Sequence, residues 1–397
     1  MKYYIFKSKD GQTKFKTKKL NIRRIIKISI CIVIIALIAT IVLTYRFNAN
    51  FREFFDVHIL RKEISNENTV KVELSSEGND KIYAYNKYVT VLSKNSLKVY
   101  TNTSNPVFEL EVAVANPIYD SHSRFLCIAE KSGNKVYLIS AENIIWQKDV
   151  EGEITKVNVN KNGYVAVSTT NAGYKTIITL YNSEGEELFK TYLPTTYSID
   201  MEISNDNKYL AIGEVTTSGT TLQTDVRIIS VENAKSNPKD AFVKTYEPNS
   251  KHIITNLKYQ EKNLICMYDD RIVSMNDTVT KLTNIDNNTL FADIETNNNI
   301  VKVVKQVGGI LKTNYYLQII NTNTKKEVSY ELSTLPKAIY ATEDVIAINY
   351  GTEIEFINTY GWLIKRYKSL QEINDLVLTN SLAGIILSKD KMEIINF

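Results

Sequence analysis

One six-residue pattern recurs eight times along the chain and limits its fold more than any other feature. The clearest copy is Tyr164-Val165-Ala166-Val167-Ser168-Thr169, which follows the turn Asn160-Lys161-Asn162-Gly163. The other copies are YVTVLS from Tyr88, FLCIAE from Phe125, YLAIGE from Tyr209, LICMYD from Leu264, IVKVVK from Ile300, VIAINY from Val345 and LAGIIL from Leu382. Start-to-start spacings run 37, 39, 45, 55, 36, 45 and 37 residues. A period near 42 with several short strands per unit is the mark of propeller blades. The expectation is an all-β fold, an eight-bladed β-propeller with seven blades as the alternative count.

Each copy lies inside a larger unit. An inner strand precedes it, across turns rich in Asn, Asp, Gly, Ser and Lys that suit hairpins. A third strand follows, as in ITLYN from Ile178 or IEFIN from Ile354, and then a fourth, as in ELFKTYL from Glu187 or WLIKRY from Trp362. The eighth unit reaches Phe397 directly after its third strand. Residues Thr69 to Leu74 (TVKVEL) precede the first complete unit and have no partners of their own, so they are expected to supply the missing outer strand. Closure of this kind removes an unpaired sheet edge.

Composition agrees with a β-rich core: 44% of residues are hydrophobic and 25 are tyrosine. The net charge of +4 divides unevenly. Residues 1–27 hold ten Lys/Arg against the single acid Asp10, leaving 38 basic and 43 acidic residues for the rest. The body is mildly acidic, so the basic footprint of a nucleic-acid binder is absent and no nucleic-acid partner is expected. Of three cysteines, Cys31 lies in an apolar N-terminal run. Cys127 and Cys266 fall at the third position of the repeated strand, where other copies have Thr90, Ala166, Ala211, Ala347 and Gly384. Such a slot calls for small buried residues and treats both cysteines as packing groups.

Residues Ile28 to Tyr45 carry no charge over 18 positions, close to what a bilayer crossing needs. Lys27, Ile28 and Tyr45 mark the ends of this anchor. Lysines and arginines crowd its N-terminal side, so the positive-inside rule places residues 1–24 in the cytoplasm and the propeller outside. The resulting division is a basic tail over 1–24, a transmembrane helix over 25–45, a juxtamembrane linker or helix over 46–68, and an extracytoplasmic propeller over 69–397 closed by strand 69–74. Phe47, Phe51, Phe54 and Phe55 recur at helical spacing and extend the anchor helix.

The segment Gly133-Asn134-Lys135-Val136-Tyr137-Leu138-Ile139 followed by Trp146 resembles a repeat of the WD40-like and quinoprotein-like propeller superfamily. The layout of basic tail, anchor, Ile59-Leu60-Arg61-Lys62-Glu63 and propeller is similar to an uncharacterised family of membrane-anchored propellers in Gram-positive bacteria. The resemblance implies topology and no chemistry. Quinone-dependent propellers typically carry adjacent cysteines, which this chain lacks, so no cofactor is expected.

Alternating strand direction adds a face. The anchor joins just before a fourth strand, so that side of the disc is expected to look toward the membrane. The opposite face carries the longest inserted loops, Val215 to Thr224 and Gln306 to Asn314. Loops on a rigid scaffold carry function, which makes Thr216, Thr217, Gln223, Gln306, Lys312 and Asn314 candidate binding residues. Lys156, Asp200, Asn256 and Asp375 share a register on inner strands and are expected to line the central channel. Lys302, in the small slot, points to a local register shift or a snorkelling stem. The histidines His58, His122 and His252 form no metal spacing, and no nucleophile motif occurs. The expected role is therefore non-catalytic: an interaction platform for an envelope protein or cell-wall polymer. The alternatives are a propeller hydrolase using channel carboxylates, or a ligand sensor coupled to the basic tail.

Overall fold

The computed structural model describes residues 4–7, 13–16, 22–48, 69–73, 80–93, 95–101, 106–308, 312–379, 383–388 and 391–396, with 51, 52, 55 and 59. It divides into two compact units, Met1–Leu60 and Arg61–Phe397.

The first unit contains a two-stranded ladder, Tyr4–Lys7 with Thr13–Lys16, and the helix Ile22–Phe47. Over Arg24–Phe47 the mean hydropathy reaches 3.0, so among the described residues one helix is long and apolar enough to cross a membrane. Its 26 residues span about 39 Å at 1.5 Å each. Helical bonding continues from Asn48 N to Thr44 O and from Arg52 N to Asn48 O. Phe55 packs edge-on against Tyr45 at 5.8 Å. His58 and most of the 46–68 stretch lie outside the described residues.

The second unit is an eight-bladed propeller built from eight four-stranded antiparallel sheets. In blades 1 to 7 the four strands follow one another in sequence. In blade 8 the order is Asp375–Leu378, Ala383–Leu387, Lys391–Asn396 and then Thr69–Glu73, whose Val70 pairs with Ile394. The N-terminal strand thus completes the last sheet.

Each sheet is apolar on both faces because both are buried. Eight clusters of buried hydrophobic residues occur among the described residues, one between each pair of consecutive blades. Along the repeated strand the side chains alternate between two of them. Val165 and Val167 face blade 2, whereas Ala166 faces blade 4. The cluster joining blade 8 to blade 1 contains Val72 from the closing strand beside Ile82 and Ile394.

Turns follow the residues supplied. The motif Asn-x-x-Gly recurs at Asn160, Asn182 and Asn358. In each copy the Asn Oδ1 accepts backbone N–H bonds, as from Tyr360 and Trp362 in the last, while the Gly takes a positive φ.

The structure realigns three copies of the repeat by one residue. The small slot faces the next blade at Cys127, Ala166, Ala211 and Ala347. In blade 5 the equivalent position is Ile265 and in blade 8 it is Ala383, while Cys266 faces back toward blade 4. In blade 6 it is Val301, and Lys302 faces back, where its ammonium donates to Thr283 Oγ1 and Asn284 O. A one-residue slip moves a side chain to the other face, and apolar letters alone do not reveal it when both faces are apolar. Cys127 and Cys266 are nonetheless both buried and unpaired.

Candidate functional site

The forward slot locates a ring of residues at the centre. Its partner across the ladder to the inner strand is Tyr83, Asp120, Asn158, Glu202, Lys258, Asp293 and Tyr340 in blades 1 to 7. The facing second-strand residue is small in blades 1 to 4 and 7 (Thr90, Cys127, Ala166, Ala211, Ala347) and larger in blades 5 and 6 (Ile265, Val301).

Five consecutive blades are linked through this girdle. Asn158 Nδ2 donates to Asp120 Oδ2 at 2.9 Å and to Glu202 Oε2 at 2.7 Å. Lys258 Nζ lies 3.7 Å from Glu202 Oε1 and 2.8 Å from Glu295 Oε2. Backbone groups are stitched across the same joints, with Val159 N donating to Asp120 and Ile203 N to Asn158 Oδ1. One layer deeper, Asp200 accepts from Leu257 N of blade 5 and pairs with Lys156 of blade 3 at 2.5 Å. The remaining arc is aromatic: the rings of Tyr83 and Tyr119 lie 4.3 Å apart.

Burial shapes the charges. It pushes Glu202 up to about 8, with Lys258 opposing and Asp120 adding to the rise. Burial likewise takes Asp293 to about 7, helped by Glu295, and Asp120 to about 6 against the pull of Lys258. Glu295, whose side chain is 40% exposed, loses some hydration there, but Lys258 more than offsets that and holds its carboxyl below the usual range. The ammonium of Lys258 stays charged because Glu202, Glu295 and Asp120 outweigh its burial. His122 falls to about 4 through burial and the nearby Lys258.

A cavity of about 1040 Å³ opens over the girdle, lined by the hairpins that join first and second strands, including His122, Lys161, Asn205, Gln260, Asn297 and Glu343. Thr69, where the closing strand begins, lies at this same end of its blade, because the closing strand runs antiparallel to Lys391–Asn396.

The residues singled out from sequence fall in three places. Lys156 and Asp200 come together as an ion pair, and Asp200 is 5% exposed. Asn256 lies half-buried on the same strand as Lys258, and Asp375 sits half-buried near Tyr83, Tyr119 and Tyr340, its carboxyl raised by burial. The residues expected on inserted loops lie at the opposite face. All but Thr217 belong to extended hairpin strands rather than loops, because the second and third strands of those blades run on past their neighbours' length. Thr216 and Gln223 pair at the base of one hairpin, Thr217 accepts from Lys175 Nζ at 3.0 Å, and Gln306 pairs with Asn314 and Gly308 with Lys312 on two ten-residue strands. Lys27, Ile28 and Tyr45 lie on the long helix.

The girdle itself stands two residues beyond the sequence-chosen register: Asn158 after Lys156, Glu202 after Asp200, Lys258 after Asn256. Pairing with the small slot of the repeated strand points to Asn158 and Glu202, but not to Lys258 or Asp293, where the register slips by one residue. A second group, on the other face, joins His252 Nδ1 to Asp269 Oδ1 at 3.2 Å and Asp270 Oδ1 at 3.3 Å. These three present ligand atoms within 4.8 Å of one another, but Arg271 already neutralises Asp270 through both carboxylate oxygens.

The fold has known counterparts. BamB from Moraxella catarrhalis is 12% identical, with 82% of this chain and 98% of that chain covered at a TM-score of 0.51. The C-terminal WD40 domain of Sif2 is 10% identical, covering 83% and 99% at a TM-score of 0.56. Sqt1 of Chaetomium thermophilum, bound to the N-terminus of the ribosomal protein L10, is 10% identical, covering 82% and 99% at 0.51. At these identities the likeness establishes the fold alone. No curated protein matches the sequence. Residues 60–397 match a family described as a family of unknown function (DUF5711).

Proposed function

The chain belongs to the DUF5711 family of unknown function, and for it we propose the role of a membrane-anchored interaction platform whose propeller, outside the cell, binds a partner protein of the envelope or a cell-wall polymer. The observation that carries this reading is the girdle beneath the 1040 Å³ mouth. Asp120, Asn158 and Glu202 are held by bonds between neighbouring blades, which suits a rigid recognition surface. A general acid or base needs a carboxyl that can reach substrate and exchange its proton; Asp200 and Glu202 are instead bound to neighbouring blades. Propellers of this fold also serve as protein binders, as Sqt1 does with the N-terminus of L10.

The hairpins of the opposite face, around Thr216, Thr217, Gln223, Gln306, Lys312 and Asn314, form a second contact surface in this reading. The long apolar helix supports anchoring, and the lysines before it support an outside propeller.

Crosslinking in intact membranes, followed by identification of the captured species, tests the platform. A specific envelope partner that survives Asp200→Ala and Asp375→Ala supports it. Turnover of a substrate lost in those variants would replace it with the hydrolase alternative. Protease added to intact cells tests topology, and protection of the propeller would overturn the outside placement.

A further inference from the structure

Among the described residues, the girdle positions from blade 6 round to blade 2 are the carboxyls of Asp293 and Asp120 and the rings of Tyr340 and Tyr83. A second cavity of about 430 Å³ lies there and shares Ala84, Ser121, Glu295, Thr342 and Leu378 with the wider mouth. Its walls bear the carboxyls of Asp120, Asp293 and Glu295 and the rings of Tyr119 and Tyr340, with no lysine, arginine or histidine among its lining residues. Lys258, next to it, is engaged by Glu202 and Glu295. Asp120 and Asp293 make no ion pair among the described residues, and their partners are an amide and backbone N–H groups.

We infer that this cavity binds an organic ammonium group, and that the partner or ligand of the platform presents it. The inference rests on the platform reading above and names the chemistry recognised there. Two independent features of the walls select such a group. Carboxyls attract any cation, whereas a tyrosine ring adds attraction for an ammonium held over it within about 6 Å. A primary ammonium brings three N–H donors, which suits carboxyls contributed by two different blades, Asp120 from blade 2 and Asp293 with Glu295 from blade 6. A bare metal ion requires its ligand atoms to converge. Among the described residues that convergence occurs only at His252, Asp269 and Asp270 on the other face.

Proton linkage supports the same reading. Asp293 and Asp120 face Glu295, Lys258, Glu202 and His122, and burial raises both acids. A bound ammonium favours their ionised forms, so binding releases protons and tightens as pH rises from 6 to 8.

The test uses the full chain in detergent and titration calorimetry with acetyl-Ala-Lys-Ala-amide, its norleucine counterpart and cadaverine. The lysine peptide should bind at least tenfold more tightly than the norleucine peptide at pH 8. Asp293→Asn and Tyr340→Leu should each weaken it about tenfold, while Asp269→Asn on the opposite face leaves it unchanged. Thermal unfolding of each variant separates lost binding from lost fold. Cadaverine binding as tightly as the peptide assigns a free amine as the source, and weaker binding assigns a side chain on a polypeptide; both support the ammonium site. Equal affinity for the norleucine peptide, or full affinity in a folded Asp293→Asn variant, overturns it. Amine binding lost while a partner is still captured in membranes removes this inference alone. Amine binding retained while no partner is captured removes the platform reading alone.

Discussion

At the scale of single residues, the girdle is a set of charges partly or wholly withdrawn from water, Glu202 most of all at 7% exposure, and its acids should report this through pH. Glu202 and Asp293 have folded-state values near 8 and 7, above those of an unfolded chain. Between pH 6.5 and 8 the folded protein therefore binds more protons than the unfolded one, and stability falls as pH rises. His122, depressed to about 4, acts in the opposite sense but only below pH 6.5. The unfolding midpoint should drop from pH 6.5 to 8, and Glu202→Gln should flatten that slope; a slope unchanged in the variant would exclude Glu202 as its source. Lys258 offers a sharper contrast. Lys258→Met leaves Glu202 and Glu295 without their ammonium and should destabilise by about 3 kcal/mol, since removing one partner of a buried pair strands the other. Adding Glu202→Gln to that variant should recover part of the loss in denaturant titrations.

At the scale of elements, the repeated strand works because each of its two faces packs into a different inter-blade core. Ala166 contacts blade 4 beside Met201 and Leu210 with no exposure. Ala166→Leu forces added methyl groups into that joint and should cost about 1–3 kcal/mol, read as a lowered denaturant midpoint. The same substitution at Val107, which is 53% exposed on an outer strand, should be near neutral. The Asn-x-x-Gly turns predict a smaller effect: Asn358→Ala removes two backbone acceptor bonds and should cost about 1 kcal/mol. These elements also show where the sequence was readable. Spacing and strand pattern specified eight blades, since each blade repeats the same demand for a doubly buried strand. The slot register was ambiguous in blades 5, 6 and 8 for that very reason: Ile265 and Cys266, or Val301 and Lys302, differ in face by one position inside an apolar run. The site suffered from the same ambiguity. Lys156, Asp200 and Asn256 lie on the same inner strands as the hydrogen-bonded ring but two residues earlier, and the depth of that ring is set by how neighbouring blades are stitched, which no single strand encodes.

At the scale of the whole molecule, closure of the ring depends on five residues that lie more than 300 positions from their partners. Thr69–Glu73 pairs with Lys391–Asn396 and places Val72 in the core between blades 8 and 1. The N-terminal placement of this strand was legible because the eighth repeat lacks a fourth strand and TVKVEL lacks neighbours. Its energetic role follows from geometry. A propeller without it has an exposed edge at blade 8, and edges of that kind recruit other chains. The joint to blade 1 also loses part of its apolar cover. Val70→Asp with Val72→Asp in the full chain places two charges against Met392 and Ile394 without changing length or anchor. The expected result is a destabilisation of about 3–5 kcal/mol, in line with stranded buried charges, together with faster proteolysis confined at first to blades 8 and 1. Hydrogen exchange should show the loss of protection beginning at Lys391–Asn396 and spreading to Lys81–Tyr85, the inner strand of blade 1. Because that strand carries Tyr83, the aromatic end of the girdle, amine binding should weaken in the same variant before the other blades open. Exchange that instead rises evenly over all eight blades would mean that the ring opens as one cooperative unit, and that the closing strand is not its weakest joint.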